Sequence, residues 1–578
     1  METHNHWQLT SLYPTKALWR KDIAALATAT QALEYHKNTL TTGEALLNCL
    51  DLFYQGEEMA NRITVYPGLQ LSQDITSATA QKMVDQAERA VEAFYSATAF
   101  IEPEILSLKD KTLEKFIQNT PGLMIYRHYL EDLIRSRDHV LSAEIESLLE
   151  TIEHITDAPE EIFTMLEDAD MDFGTVTDEN GNTVALTHGS YDALIDSPCQ
   201  KVRKAVYQAY KAPYLAAKNT IATTLVASIQ KDATLAQLRN HPTALAAALF
   251  EDNIPTKVYN QLIKTVGQFI PALQKYITLR KKMLKLDEIH LYDISAATQA
   301  EESIPYATAQ ELFLKAVAPL GEEYVNTAKH GMDNGWVDVY EAPNKESGAY
   351  TWGAYGNHPY VLLNYNNTME DAFTLAHEMG HAMHRHYSWM YQPSVYGDAS
   401  DFTGEIASTV NEVLMIEYLL ESNPSPQLLV KYLEQFRTTV FVQTMYAEFE
   451  KIVHGMAADD DTPTLDDLNE IYHNLLVKYY GEELVIDPES QMGWAVSHFF
   501  DAFYVYQYAT GYAAALAIVK QLDNPKGVSK YLEFLKAGGS NYPCTLLKKA
   551  GVNLNTPAPI CSALETFTAL VDKLEAML

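Results

Sequence analysis

The residues with the clearest chemical potential lie in Thr374–Tyr387, which reads TLAHEMGHAMHRHY. Within it, His377, Glu378 and His381 form the pattern H-E-x-x-H. On a helix, residues four apart share one face and lie about 6 Å apart along the axis, so these two imidazoles can bind one metal ion. Such a pair is typical of zinc sites in which the intervening glutamate lies beside a metal-bound water. The pattern therefore predicts a zinc site that activates water.

The segment around this pattern has the features of a buried helix. Thr368, followed by Glu370 and Asp371, is a typical helix start, because a threonine side chain can accept a hydrogen bond from an unpaired backbone N–H and acidic residues favour the first turn. Apolar residues are interspersed with the histidines, as expected when a helix is covered on most sides. They are Phe373, Leu375, Ala376, Met379, Ala382 and Met383.

A catalytic zinc ion usually has three protein ligands and one position left for water, so a third ligand must come from another segment. We expect it to be Glu405, which opens a strongly helical run that could cross the first helix. Glu412 follows two turns later on the same face. It could hold a ligand histidine through the second ring nitrogen. A solvent-exposed charge is the alternative interpretation of Glu412.

Glu378 lies where a general base is needed. Zinc lowers the pKa of bound water to about 7, and a carboxylate beside that water can take its proton and pass it to the departing amine. The attacked carbonyl then becomes an oxyanion, whose charge needs hydrogen-bond donors in addition to the metal.

Candidate donors are concentrated in Ser497–Tyr512, which reads SHFFDAFYVYQYATGY. Tyr504, Tyr508 and Tyr512 are spaced four apart, so they would share a helical face. An aromatic stripe in a helix core is the alternative, although buried tyrosine hydroxyls need polar partners. The candidates are His498, Tyr504, Tyr506, Tyr508 and Tyr512.

Composition narrows the class of protein. The chain has 578 residues, 47% of them hydrophobic, which suffices for a large core and more than one lobe. Its net charge of −34 argues against nucleic acid and anionic membranes as partners. Four scattered cysteines without a C-x-x-C pattern predict neither a disulfide framework nor a thiolate metal site. With no apolar signal core and no long uncharged apolar run, we expect a cytoplasmic protein without membrane spans.

Helical patterns dominate the chain, for example over Ser77–Phe100 and Ala143–Thr156. Asn180-Gly181, between β-prone flanks, predicts a hairpin. We expect an N-terminal helical region, residues 1–190, that ends in this hairpin, and a catalytic zinc-binding region, residues 191–578.

Residues 336–365 predict a second β-region of short strands joined by Gly, Pro and Asn turns, directly before the H-E-x-x-H helix. An edge strand beside a metal site can bind an extended peptide through main-chain hydrogen bonds. The alternative is that these strands only support the helix, and both interpretations can hold together.

The chain resembles the thimet-type oligopeptidases of peptidase family M3, and among them oligoendopeptidase F, over about residues 110–575. The resemblance is carried by five stretches: DENGNTVALTHGSYDALIDSP, GAYTWGAYGNHPYVLLNYNNTMEDAFTLAHEMGH, GEIASTVNE, HFFDAFYVYQYATGY and FLKAGGSNYPCTLLKKAGV. It implies a mainly α, two-lobed, zincin-like metallopeptidase with a deep central channel and a small β-sheet next to the H-E-x-x-H helix. It also implies one zinc ion per chain and endopeptidase activity on short oligopeptides in the bacterial cytoplasm.

The resemblance carries over residue by residue. It implies that His377, His381 and Glu405 are the zinc ligands and that Glu378 is the catalytic base.

Further matches concern the substrate. His498 and Tyr508 match donors to the substrate and the oxyanion, and Tyr504 and Tyr506 are implied substrate contacts. Tyr512, from its spacing in the same segment, is a further candidate substrate contact. Three more residues fall where the family's substrate-binding edge strand and following loop lie: Gly353, Ala354 and His358.

Two other functions compete with an endopeptidase. A dipeptidyl carboxypeptidase of the same family would need a positive group that holds the peptide's C-terminus. A non-catalytic peptide-binding protein could use the same helical cleft, but the intact set of His377, Glu378, His381 and Glu405 argues against it.

Overall fold

The computed structural model describes residues 5–297, 303–459 and 461–578. Helices dominate these residues and the strands are short, as the sequence predicts. The helices are α1 (Lys16–Glu34), α2 (Gly43–Gln73), α3 (Ala78–Thr98), α4 (Ile101–Ser107), α5 (Asp110–Asn119), α6 (Arg127–Ser136), α7 (Ala143–Thr156), α8 (Ala158–Thr164), α9 (His188–Ile195), α10 (Gln200–Ala216), α11 (Lys218–Leu238), α12 (Ala244–Ala248), α13 (Thr256–Leu284), α14 (Tyr306–Ala316), α15 (Glu322–Asp333), α16 (Met369–Tyr391), α17 (Asp401–Ser422), α18 (Pro426–Phe436), α19 (Gln443–Ala458), α20 (Leu465–Tyr480), α21 (Tyr506–Val519), α22 (Pro525–Leu535), α23 (Pro543–Lys549) and α24 (Ala558–Met577). The strands are β1 (Thr175–Thr177), β2 (Thr183–Ala185), β3 (Ile289–His290), β4 (Val337–Asp338), β5 (Tyr350–Gly353), β6 (Pro359–Leu362) and β7 (Leu484–Val485).

The chain divides into two compact units that are each assembled from three separate segments. The first comprises Met1–Arg137, Glu302–Tyr418 and Ile518–Gly551, and the second comprises Asp138–Glu301, Leu419–Ala517 and Val552–Leu578. Residue 190, the sequence-based boundary, lies in α9 within the second unit. The division in space therefore does not coincide with a division of the chain at residue 190.

The first unit is built on the packing of α1, α2 and α3. These helices begin at polar caps; the Thr42 and Ser77 side chains, for example, accept hydrogen bonds from backbone N–H groups of the first turn. The core between them includes the fully buried Trp19, whose indole nitrogen donates a hydrogen bond to the carbonyl of Ile63. This core extends to β6 through Tyr360 and Leu362.

The sheet of the first unit has the strand order β4–β6–β5, with β6 parallel to β4 and antiparallel to β5. It confirms the predicted sheet before the H-E-x-x-H helix. All four residues of the central strand β6 are buried, and β5 forms one edge. Beside β4, the N-terminal segment is bound to the sheet region, because Gln8 N–H donates to the carbonyl of Gly335 and Val339 N–H donates to the carbonyl of Asn5.

The second unit packs α13 against α24 and α20. Aromatic rings fill this core, among them Phe567, which contacts Tyr276 and Phe436. The predicted hairpin is present: β1 pairs antiparallel with β2, and Gly181 in the connecting loop has a φ of +86°, which favours glycine. The second small sheet of this unit pairs β3 in parallel with β7.

Two negative expectations can be compared with the structure. None of the four cysteines, all of which lie within the described residues, forms a disulfide. Within the described ranges, no helix is both long enough and apolar enough to span a membrane.

Candidate active site

Helix α16 carries the H-E-x-x-H pattern in the first unit. Its first turn is closed by reciprocal hydrogen bonds in which the Thr368 and Asp371 side chains accept from each other's backbone N–H groups. The helix places His377 and His381 on one face, with their Nε2 atoms 3.1 Å apart. Two ring nitrogens therefore face the same point in space, as the spacing predicts.

Helix α17 crosses α16 at Gly380, the residue before the second histidine. A Cβ atom at this glycine would lie 2.5 Å from the Ser408 Cα and 2.7 Å from the Ala407 carbonyl oxygen. The two backbones therefore meet at a distance that only glycine permits. The buried Asn411 side chain joins the helices, since its Nδ2 donates to the Ala376 carbonyl oxygen over 3.0 Å.

This crossing brings Glu405 to the two histidines. One carboxylate oxygen is 3.6 Å from His377 Nε2 and the other is 3.6 Å from His381 Nε2. A ligand atom from each of the three residues lies within 4.8 Å of the others, and this is the one such group found in the part of the chain that the structure describes. Two imidazole nitrogens and one carboxylate oxygen are a donor set that zinc prefers, so these residues fit the expected metal.

Glu412 contacts the other ring nitrogen of His377, Nδ1. This contact orients the imidazole so that Nε2 faces Glu405. Burial is the largest single effect and favours the neutral ring, but the hydrogen bond that the ring donates to Glu412 and the charges of Glu412, Glu378 and Glu405 together outweigh it and raise the pKa of His377 to about 9. Burial, together with the neighbouring His377, lowers the pKa of His381 well below its ordinary value. In the metal-free protein, His377 is therefore the histidine of this pair that carries the extra proton, and His381 is neutral.

Glu378 is held on the same helix and points toward the sheet. Its side chain is only 6% exposed, and burial raises its pKa. The hydroxyl of Thr351, on β5, lies 2.7 Å from Glu378 Oε2 and 2.9 Å from the Glu378 backbone carbonyl oxygen. His377 and this hydrogen bond both oppose the effect of burial on the pKa of the carboxyl group.

A cavity of about 400 Å³ opens beside these groups within the first unit. His384 lines it although its side chain is only 4% exposed, and burial lowers the pKa of this imidazole to about 4. Arg385 also lines the cavity, with its guanidinium bound to Asp398 over 2.7 Å. The remaining lining residues are Ala349, Tyr350, Thr351, His377, Glu378, His381, Ser388, Gly397, Ala399, Ser400, Asp401, Gly404 and Glu405.

The three residues assigned to the edge strand and its loop occupy different environments. Gly353 ends β5, where a Cβ atom would lie 2.8 Å from the Trp389 ring on α16. Ala354 is fully buried in the core of the first unit. His358 is half-buried and stacks on Trp336, with ring centroids 5.5 Å apart. Its role in substrate binding stays a prediction.

The tyrosine-rich segment belongs to the second unit. His498 is exposed, and its ring centroid is 6.1 Å from that of Tyr508, which in turn is 5.4 Å from that of Tyr504. These three rings form one cluster.

Two other tyrosines of this segment are buried. Tyr506 packs against Tyr259, and Tyr512 has its hydroxyl 3.3 Å from Gln435 Oε1. Their substrate contacts stay predictions, as does the donor role of His498, Tyr504 and Tyr508.

The family of the chain follows from its match to known proteins. Residues 193–566 match the model described as Peptidase family M3, and residues 104–173 match the model described as Oligopeptidase F. The chain belongs to peptidase family M3.

Relatives of this M3 peptidase extend over its whole length. Oligopeptidase PepF of Bacillus subtilis (strain 168) is 38% identical over 588 residues, which cover 100% of this chain and 88% of the relative. The crystal structure of oligoendopeptidase-F from Enterococcus faecium matches with a TM-score of 0.74 at 33% identity. The match covers 97% of this chain and 99% of the Enterococcus faecium chain. A crystal structure from Chlamydophila abortus, of a protein provisionally designated a peptidase, has a TM-score of 0.92 at 32% identity, with coverages of 100% and 98%.

These matches confirm the predicted family and the mainly helical fold. As an M3 peptidase related to oligoendopeptidase F, the protein is a metalloendopeptidase.

Three residues at the site were not singled out from the sequence. Gly380 and Asn411 fix the helix crossing, and Thr351 contacts Glu378. A glycine inside a helix is a recognisable signal of close packing, because it costs about 1 kcal/mol relative to alanine. Thr351 and Asn411 carry no such signal.

We predict that Gly380→Ala disrupts the metal site. The added methyl group would force α17 away from α16, which costs about 1–3 kcal/mol and moves Glu405 from the histidines. Zinc affinity, measured by competition with a chromophoric chelator, should fall at least tenfold, with a lower unfolding temperature. Gly267→Ala is the matched control, since a Cβ atom on this helical glycine meets nothing within 4 Å. Unchanged zinc affinity in Gly380→Ala would contradict the proposed crossing constraint.

We also predict that zinc binding at pH 7 displaces the proton of His377. Because its pKa is about 9 in the metal-free protein, the ring is protonated at pH 7, and zinc affinity should rise with pH up to about 9. Titration calorimetry in buffers of different ionisation enthalpy measures the released protons. Glu412→Gln should release nearly one proton fewer at pH 7, because the ring then loses the carboxylate that keeps it charged. Equal release from both proteins would show that Glu412 does not control this proton.

Proposed function

We propose that this protein is a zinc-dependent oligoendopeptidase in which Glu378 is the general base. The observation that supports it most directly is the convergence of His377, His381 and Glu405 on one point, with the buried Glu378 carboxylate beside them. This arrangement has three metal ligands from two helices and a base that is not itself a ligand. It is the arrangement that metal-assisted peptide hydrolysis requires.

The chain's own residues supply binding, orientation and proton transfer. Zinc, held by His377, His381 and Glu405, would act as a Lewis acid and make the attacking water more acidic. Glu378 takes one proton from that water as the water oxygen attacks the scissile carbonyl carbon. The same carboxyl group then gives the proton to the amide nitrogen as the C–N bond breaks. The products are a free amine and a new carboxylic acid, which carries the second proton of the water and loses it to solvent on release.

Hydrogen-bond donors are needed for the oxyanion that forms on the carbonyl oxygen. We assign this role to His498 and Tyr508, with Tyr504 beside them. Their rings form a cluster in the second unit, and two of them are hydroxyl-bearing side chains that can donate.

Short peptides in extended conformation are the proposed substrates. Strand β5 is an edge strand of the sheet and contributes Tyr350 and Thr351 to the cavity beside the metal ligands. A peptide that pairs with such an edge is recognised through its backbone, so many sequences can bind. The relatives' names, oligopeptidase and oligoendopeptidase, agree with this substrate class. We place the activity in the cytoplasm, on peptides rather than on nucleic acids or membranes.

Internal cleavage is preferred to dipeptidyl carboxypeptidase activity because of the charge of the cavity. An exopeptidase of that kind needs a cation for the substrate's terminal carboxylate. Arg385 is the one lysine or arginine that lines the cavity among the described residues, and Asp398 already binds its guanidinium. Asp398 thus already offsets the one positive charge that a terminal carboxylate could use.

We predict that Glu378→Gln reduces turnover by about 10²–10⁴-fold while peptides still bind, since the amide keeps the shape but cannot accept the proton. Cleavage of a quenched fluorescent peptide gives kcat, and fluorescence anisotropy of a labelled peptide gives the dissociation constant. Glu322→Gln, an exposed glutamate in α15, is the matched control and should retain full turnover. Normal kcat in Glu378→Gln would remove Glu378 as the base.

We predict that a C-terminally amidated peptide is cleaved at an interior bond and that activity depends on the metal. Mass spectrometry of the digest identifies the bond. Dialysis against a chelator should abolish cleavage, and stoichiometric zinc should restore it. Products formed only from the non-amidated peptide, and always by removal of two residues, would instead indicate the exopeptidase.

A further inference from the structure

We propose that Thr351 is a positioning residue that fixes the carboxylate of Glu378 and connects it to the edge strand. This inference rests on the proposed function of Glu378 as the base. It assigns the threonine no contact with the reacting atoms; the effect of Thr351 is on the orientation of Glu378.

The alternation of β5 explains why Thr351 faces the base. Tyr350 and Trp352 pack on the helical core of the first unit, and the Trp352 ring fills the space beside Gly68 on α2. Successive residues of a strand face opposite sides of the sheet. The Thr351 side chain and the Gly353 backbone therefore face α16, on the side opposite to Tyr350 and Trp352. Gly353 approaches Trp389 there, so the strand lies close enough for the threonine hydroxyl to reach the helix.

The hydrogen bonds of Thr351 define the orientation of the carboxylate. The hydroxyl lies 2.7 Å from Glu378 Oε2 and 2.9 Å from the Glu378 carbonyl oxygen, so its single proton is available to two acceptors of the same residue. Within the described chain, no other side chain donates to Oε2. With Oε2 held, Oε1 is the oxygen left to accept a proton from water.

A buried carboxylate depends strongly on such a donor. Glu378 is 6% exposed, and a hydrogen bond to a charged acceptor contributes more than one between neutral groups. Without the hydroxyl, the long glutamate side chain would have several rotamers and no fixed oxygen. A base must lie within hydrogen-bond reach of the proton it removes, so loss of orientation reduces the chemical step rather than binding.

The same threonine belongs to the strand that the proposed substrate pairs with. The outer edge of β5 has no strand partner in the described part of the chain, so a peptide can bind to the backbone around Thr351. Pairing restrains this backbone and, through the hydroxyl, also restrains the Glu378 carboxylate. Substrate binding and orientation of the base are therefore connected by one side chain.

The test uses the full-length, zinc-loaded enzyme and Thr351→Val, which removes the hydroxyl and keeps the branched shape. We expect kcat to fall about 10- to 100-fold, as for loss of one hydrogen bond to a charged group, with KM changed less than twofold. Thr351→Ser, which keeps the hydroxyl, should recover most of kcat. Thr183→Val, an exposed threonine on the hairpin strand β2, is the matched control and should be unchanged.

A readout independent of turnover is the crystal structure of zinc-loaded Thr351→Val. We expect the Glu378 side chain in more than one rotamer there, and in a single rotamer in the native protein and Thr351→Ser. Zinc content, measured by elemental analysis, should be equal in all three.

Three results would overturn the proposal. They are an unchanged kcat in Thr351→Val, no recovery in Thr351→Ser, and an identical single rotamer of Glu378 in both variants. If Thr351→Val does not fold, Thr351→Ala replaces it with the same expectations. Normal turnover in Glu378→Gln would instead overturn the proposed base itself, so the two failures are distinguishable.

Discussion

The close approach of two helices at Gly380 is the constraint on which the site depends. His377 and His381 can share a metal because they are one turn apart, but Glu405 reaches them only because α17 lies against α16 without an intervening side chain. Asn411 then uses a buried amide to fix the relative position of the two helices. A glycine inside a helix costs about 1 kcal/mol relative to alanine. In return, the close crossing places Glu405 beside the two histidines.

The site also has an excess of negative charge that a cation or a proton must balance. Three carboxylates, from the buried Glu378 and the partly exposed Glu405 and Glu412, surround two partly buried imidazoles. Burial raises the energy of every unpaired charge, so the site needs positive charge to be stable. In the metal-free protein a proton on His377 supplies part of it, and a divalent cation would supply more. The same excess of carboxylates that favours a bound cation also raises the pKa of His377.

The sequence predicted those parts of the site that depend on local spacing. The H-E-x-x-H helix, its start at Thr368, the short strands before it and the position of Glu405 and Glu412 on one further helix all follow from short-range patterns. Thr351 and Asn411 could not be predicted, because their partners depend on which faces of distant segments meet. The two units could not be predicted either, since each combines three segments that are far apart in the chain.

The N-terminal segment has a consequence for how the sheet meets other chains. Its backbone is bonded near both ends of β4, through Asn5 to Val339 and through Gln8 to Gly335, which leaves β5 as the accessible side. A sheet that extends from one molecule to the next needs two unpaired edge strands in each molecule, one for each neighbour. This molecule can accept one guest strand at β5, but a chain of such pairings ends there. An edge that is open on one side of the sheet alone therefore does not support growth of a fibre from molecule to molecule.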